Sequence, residues 1–95
     1  MIKDKYLNQV IATLKSFNHN GETRYFLFGS SLIQDRFGDL DIGVIGKVKD
    51  GEIGEIKEQL EESVLPYFVD VIDFNKVSAD FKNNVFNNKI LWLTT

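Results

Sequence analysis

Residues 38–45 read Gly38-Asp39-Leu40-Asp41-Ile42-Gly43-Val44-Ile45. Apolar Leu40, Ile42 and Val44 alternate with Asp39, Asp41 and Gly43, the period of a β-strand with one face in a core. Alternate side chains on a strand share a face, so the two aspartates stand about 7 Å apart at the backbone and their carboxylates can converge on one ion. Two like charges on one face repel unless a cation lies between them or one carboxyl is protonated. Hard divalent cations such as Mg²⁺ accept an all-oxygen set and keep positions free for water and phosphate oxygens. Taken alone, the spacing favours a strand with a solvated polar face, so its neighbours decide the matter.

Upstream, Arg24-Tyr25-Phe26-Leu27-Phe28 is a short apolar and aromatic run that predicts a buried strand leading into Gly29-Ser30-Ser31 and a turn or helix start. Glycine lets backbone approach a ligand closely, and a hydroxyl with free amides at a helix start cradles phosphate. A phosphate cradle beside a carboxylate pair is a layout for a nucleotide and a metal ion. Downstream, Tyr67 to Phe74 predicts a third strand carrying Asp70 and Asp73. Either could supply a third carboxylate, but a regular strand turns them to opposite faces, so only one can join Asp39 and Asp41. Asp73 also suits a strand-end cap over Asn75 to Val77.

The remaining segments supply helices. Tyr6, Leu7, Val10, Ile11, Leu14 and Phe17 recur at helical spacing, with a stop expected at Asn18-His19-Asn20-Gly21. Ile53, Ile56, Leu60 and Val64 predict the core face of a second long helix ahead of Pro66. Ser78 is a candidate N-cap for a helix reaching about Asn88, and Ile90 to Leu93 a short final strand. The order α-β-α-β-α-β-α-β predicts an α/β (α+β) fold, a small mixed sheet of about four strands with helices packed on one face, and residues 1–95 as a single domain.

Composition narrows the chemistry. The chain has 95 residues, and 11 basic against 14 acidic side chains leave a net charge of −3, which argues against an extended nucleic-acid face. Without cysteine, thiolate catalysis and disulfides are excluded, and one histidine cannot build a multi-histidine metal centre. His19 reads as a surface residue of a polar turn. No stretch approaches the ~20 apolar residues of a membrane helix, and the start lacks a signal peptide's apolar core, so a cytoplasmic protein without membrane contact is expected.

Phe28-Gly29-Ser30, Gly38-Asp39-Leu40-Asp41-Ile42-Gly43-Val44 and Val69-Asp70-Val71-Ile72-Asp73-Phe74 together resemble the minimal nucleotidyltransferases of the DNA polymerase β-like superfamily. The likeness extends through Lys76 to Phe81 and Ile90 to Trp92, covering most of the chain from Tyr25 onward. It implies a nucleotidyltransferase-like fold in which Gly29 and Ser30 bind the nucleotide, and Asp39, Asp41 and Asp70 are the catalytic acids and metal ligands for Mg²⁺. Asp70 takes the third place over Asp73 because it stands at the front of the run, flanked by Val69 and Val71. Eight residues separate Ser30 from Asp39, and Ser31 stands where members often carry a basic residue, with Arg36 a candidate substitute.

The activity so implied is Mg²⁺-dependent transfer of a nucleotide monophosphate, AMP from ATP, to a hydroxyl acceptor with release of pyrophosphate. Larger relatives carry a second helical domain for the acceptor. Members of this size are often paired with a small helical HEPN-type protein, in which the transferase acts as antitoxin by adding AMP to a toxin tyrosine. A hetero-oligomer is therefore expected. The alternatives are a non-catalytic module that neutralises its partner by binding, and a nucleotide sensor that binds without turnover.

Overall fold

The computed structural model describes residues 2–17, 21–34, 36 and 38–93, so the expected helix stop at Asn18-His19-Asn20 lies outside the described residues. Helix α1 spans Asp4–Phe17, strand β1 Thr23–Phe28, β2 Asp39–Gly46, helix α2 Glu52–Glu61, β3 Phe68–Asp73, α3 Ala79–Phe86 and β4 Leu91–Trp92. The four strands form one mixed sheet in the order β3-β2-β1-β4. β1 runs antiparallel to both β2 and β4, whereas β2 and β3 are parallel, joined by the crossover through α2.

Strand parity sorts the side chains into two apolar layers. Tyr25, Leu27, Leu40, Ile42, Val44 and Val69 are buried against Val10 and Leu14 of α1 and Ile56 and Leu60 of α2. That face is covered as the helical periodicity predicts. The Tyr25 phenol lies within this layer, where burial, aided by the charge of Glu52, pushes its pKa up to about 12.

Helices α1 and α2 account for the expected single helical face, and α3 adds a second layer on the other. There Phe26, Phe28, Phe74 and Val85 form a separate buried cluster with Phe86 and Trp92 packed against it. The alternation of β1 requires this, because Phe26 and Phe28 point away from the α1–α2 face and would otherwise expose two large rings. Gly43 of β2 makes room for it, since a Cβ there would overlap the Phe26 ring. Trp92 is half-buried, stacked on Phe86 with the Arg24 guanidinium 4.0 Å from its ring centre, so it belongs to this layer. Ser78 caps α3 as expected, its hydroxyl accepting from the Phe81 amide at 3.2 Å.

Two sequence expectations are corrected. The segment after β1 closes into a single 3-10 turn at Gly29–Leu32 and not a longer helix, because few residues remain before β2 must begin at Asp39. Val64, expected on the core face of α2, is 79% exposed. The helix ends at Glu61, and the following turn carries Val64 off the line that Ile56 and Leu60 follow.

Candidate active site

The site lies at the start of β2, on the face that bears the α3 layer. Leu40 and Ile42 point into the α1–α2 core, so Asp39 and Asp41 emerge on the opposite side. Register then brings the other parts to them. Asp41 pairs across the antiparallel ladder with Phe28, the last residue of β1. Across the parallel ladder it pairs with Asp70 of β3. Val69 packs into the α1–α2 core, which turns Asp70 to the face of Asp41 and Asp73 away from it. Asp73 instead accepts a hydrogen bond from the Asn75 amide at 2.9 Å, the strand-end cap anticipated from sequence.

Gly29 closes the arrangement. Its φ of +81° is a conformation that side-chain-bearing residues adopt only at a cost, and a Cβ there would stand 2.5 Å from Asp41 Oδ2. The glycine thus serves two purposes, turning the chain out of β1 and leaving space for the Asp41 carboxylate. Replacing it tests both. Gly29→Ala is expected to lower stability by about 1–2 kcal/mol from the backbone alone, read as a lowered urea midpoint at unchanged slope. A variant as stable as the native chain would show that this close approach is not retained in solution.

Negative charge accumulates here. The Asp41 carboxyl is held above the ordinary carboxylate range, first by burial, then by the charges of Asp70 and Asp39. Lys57 of α2 places its Nζ 3.9 Å from Asp70 Oδ1, a solvent-exposed pair of little energetic weight. Sequence reading missed Lys57, since nothing in the periodicity of α2 says which strand residue its polar flank reaches. Among the described residues no three ligating side chains are already drawn into a metal cage. The donor set nonetheless suits a hard cation. All its donor atoms are oxygens, and a divalent ion would offset the repulsion from Asp70 and Asp39 that adds to burial in raising the Asp41 pKa.

The remaining candidates are placed plainly. Ser30 is half-buried in the 3-10 turn after Gly29. Ser31, next to it, is fully buried, and its hydroxyl makes no hydrogen bond among the described residues. Arg36 is exposed. Lys47 forms an exposed ion pair with Glu22 at 3.4 Å.

Residues 8–94 match the family profile described as polymerase beta, nucleotidyltransferase. No curated protein sequence matches the chain. Among solved structures, a tri-AMPylated Shewanella oneidensis HEPN toxin in complex with MNT antitoxin aligns with a TM-score of 0.71 at 23% identity, covering 97% of this chain and 71% of that one. A toxin–antitoxin structure with AMP-PNP aligns at 0.69 and 26% identity, over 92% of this chain and 71% of that one. A toxin–antitoxin named MntA-HepT aligns at 0.69 and 21% identity, over 96% of this chain and 71% of that one.

Proposed function

The chain belongs to the polymerase β family and is a nucleotidyltransferase, and from that premise we propose that it transfers AMP from ATP to a hydroxyl on a partner protein. One observation carries the site assignment: Asp41 stands directly between Asp70 and the Gly29 turn, on one face of the sheet. In this reading residues 1–95 act as one domain. Gly29 and Ser30 hold the triphosphate, with the Ser30 hydroxyl and the turn's backbone as donors. Asp39 and Asp41, with Asp70, would hold Mg²⁺, which when bound supplies charge neutralisation at the triphosphate.

The residues of the chain do the positioning. Asp70 orients the acceptor hydroxyl and takes its proton as the oxygen attacks the α-phosphorus. A bond forms from the acceptor oxygen to that phosphorus, the bond to the bridging oxygen breaks, and pyrophosphate leaves in line. The acceptor belongs to a small helical HEPN-type protein. Support for this comes from the aligned structures, one of which is a complex of an AMPylated HEPN toxin with an MNT antitoxin. Among the described residues no helix is long and apolar enough to cross a membrane, and a cytoplasmic location goes with this reading.

The test combines the chain with a HEPN-type partner, ATP and Mg²⁺, following pyrophosphate release and the intact mass of the partner. The expected result is release that needs Mg²⁺, with the partner gaining the mass of one or more AMP groups. Nucleotide binding without pyrophosphate would make the chain a sensor. Neutralisation of the partner without any nucleotide would make it a binding module.

A further inference from the structure

We propose that Phe68 selects the acceptor: apolar side chains flanking the acceptor hydroxyl on a partner protein pack against its ring, an assignment that rests on the role given to Asp70 above. Val69 points into the α1–α2 core, so Phe68 and Asp70, on either side of it, share the opposite face of β3. Register sets Phe68 beside Asp39 just as it sets Asp70 beside Asp41. One face of the β2–β3 pair therefore presents three carboxylates and a phenyl ring, with Phe68 and Asp70 about 7 Å apart at the backbone.

Nothing in the fold requires that ring. Phe68 is 74% exposed; single exposed apolar side chains are ordinary, so exposure by itself assigns no role. Its neighbours supply the contrast. Tyr67 packs edge-on against Tyr6 of α1, with ring centroids 5.7 Å apart. Further along β3, Ile72 packs against the aromatic layer, and Phe74 is buried within it. Among the described residues Phe68 joins neither cluster, and a polar strand former would serve the fold equally well there.

Position ties the ring to the acceptor. β3 is the edge strand, and the Gly29 turn follows β1, two strands away across Asp41. Phe68 thus lies on the Asp70 side of the site, away from the proposed phosphate contacts. An acceptor whose hydroxyl reaches Asp70 from this edge comes within reach of the ring. A hollow of about 320 Å³ lined by Glu61, Leu65, Pro66, Tyr67 and Phe68 extends the same surface and leaves room for an inserted side chain. The surrounding charge narrows the choice. Asp39, Asp41 and Asp70 share the face, and Glu61 lines the hollow, so the phosphates of a nucleic-acid end are repelled. A protein whose hydroxyl is flanked by apolar side chains covers the ring without that repulsion, and buried aromatic anchors are where protein contacts concentrate their energy.

The experiment follows initial rates of pyrophosphate release by the full chain with ATP, Mg²⁺ and a HEPN-type protein as acceptor, for the native protein, Phe68→Ala and Phe68→Leu. Phe68→Ala is expected to raise KM for the acceptor protein about tenfold or more, with kcat, KM for ATP and melting temperature little changed. Phe68→Leu, which keeps an apolar side chain, should recover most of that loss. An unchanged acceptor KM in Phe68→Ala overturns the role of Phe68 and leaves the transfer reaction standing. A rise shared equally by ATP and acceptor, or one accompanied by a lower melting temperature, also overturns it. So does a dimer of the native chain in sedimentation that Phe68→Ala dissolves, since the ring then serves a second copy. Absence of any transfer to the protein by the native chain overturns the proposed reaction and the role of Phe68 together.

Discussion

Asp41→Asn is expected to reduce nucleotidyl transfer by about 10³-fold while making the metal-free protein more stable at neutral pH. The loss follows from position: Asp41 lies between Asp70 and Gly29, next to both the acceptor side and the phosphate side of the proposed site. A charge-neutralising cation contributes several kcal/mol to such a transition state, and about 4 kcal/mol corresponds to three powers of ten. The gain follows from the raised pKa. A carboxyl whose folded pKa exceeds its unfolded one favours folding most when protonated, and that contribution disappears as pH rises through the folded value. At neutral pH the native chain holds a carboxylate that burial and its two acidic neighbours oppose, and the amide removes it. Melting temperatures of both proteins in chelator, from neutral pH downward, check the sign. The native chain should close the gap between the unperturbed aspartate pKa, about 3.9, and the raised Asp41 value. A variant less stable at neutral pH, or one retaining transfer, would remove Asp41 from this role.

Phe26→Ala should be the most damaging single truncation, at about 3–5 kcal/mol. The ring is fully buried and touches Phe28, Phe74, Phe86 and Trp92, at centroid distances of 5.8, 4.8, 5.2 and 5.1 Å. It also fills the space over Gly43. Domains of this size hold roughly 5–14 kcal/mol in all, so a fall in melting temperature of about 15–30 °C is expected. Because this cluster carries α3, hydrogen exchange should also rise in Ala79–Phe86 ahead of α1. A fall of only a few degrees would mean that the α1–α2 layer alone holds the sheet together.

Much of this was legible in the sequence because strand periodicity is local information. The alternation at Leu40, Ile42 and Val44 named both the core face and the carboxylate face, and the Asp70–Asp73 spacing showed that only one of them could face Asp41. What was not legible depends on contacts between distant segments. The side on which α3 packs follows from where Phe26 and Phe28 point once β1 is seated between β2 and β4. Lys57 reaches Asp70 only through the crossover that lays α2 along β3. The approach of the end of α3 to Gly29 likewise depends on how the aromatic layer packs and on no local pattern.

The opposite facing of neighbouring residues in β2 makes the protein respond very differently to two kinds of genetic change. Odd positions 39, 41 and 43 face the proposed site and the aromatic layer, and even positions 40, 42 and 44 the α1–α2 core. A substitution in one set is felt mainly on its own side. Insertion or deletion of a single codon within Asp39–Gly46 would exchange the two sets, directing both carboxylates into oil and three aliphatic chains into water. For this strand, reading-frame length is a harder constraint than residue identity, and variation can accumulate by replacement where it cannot by indel.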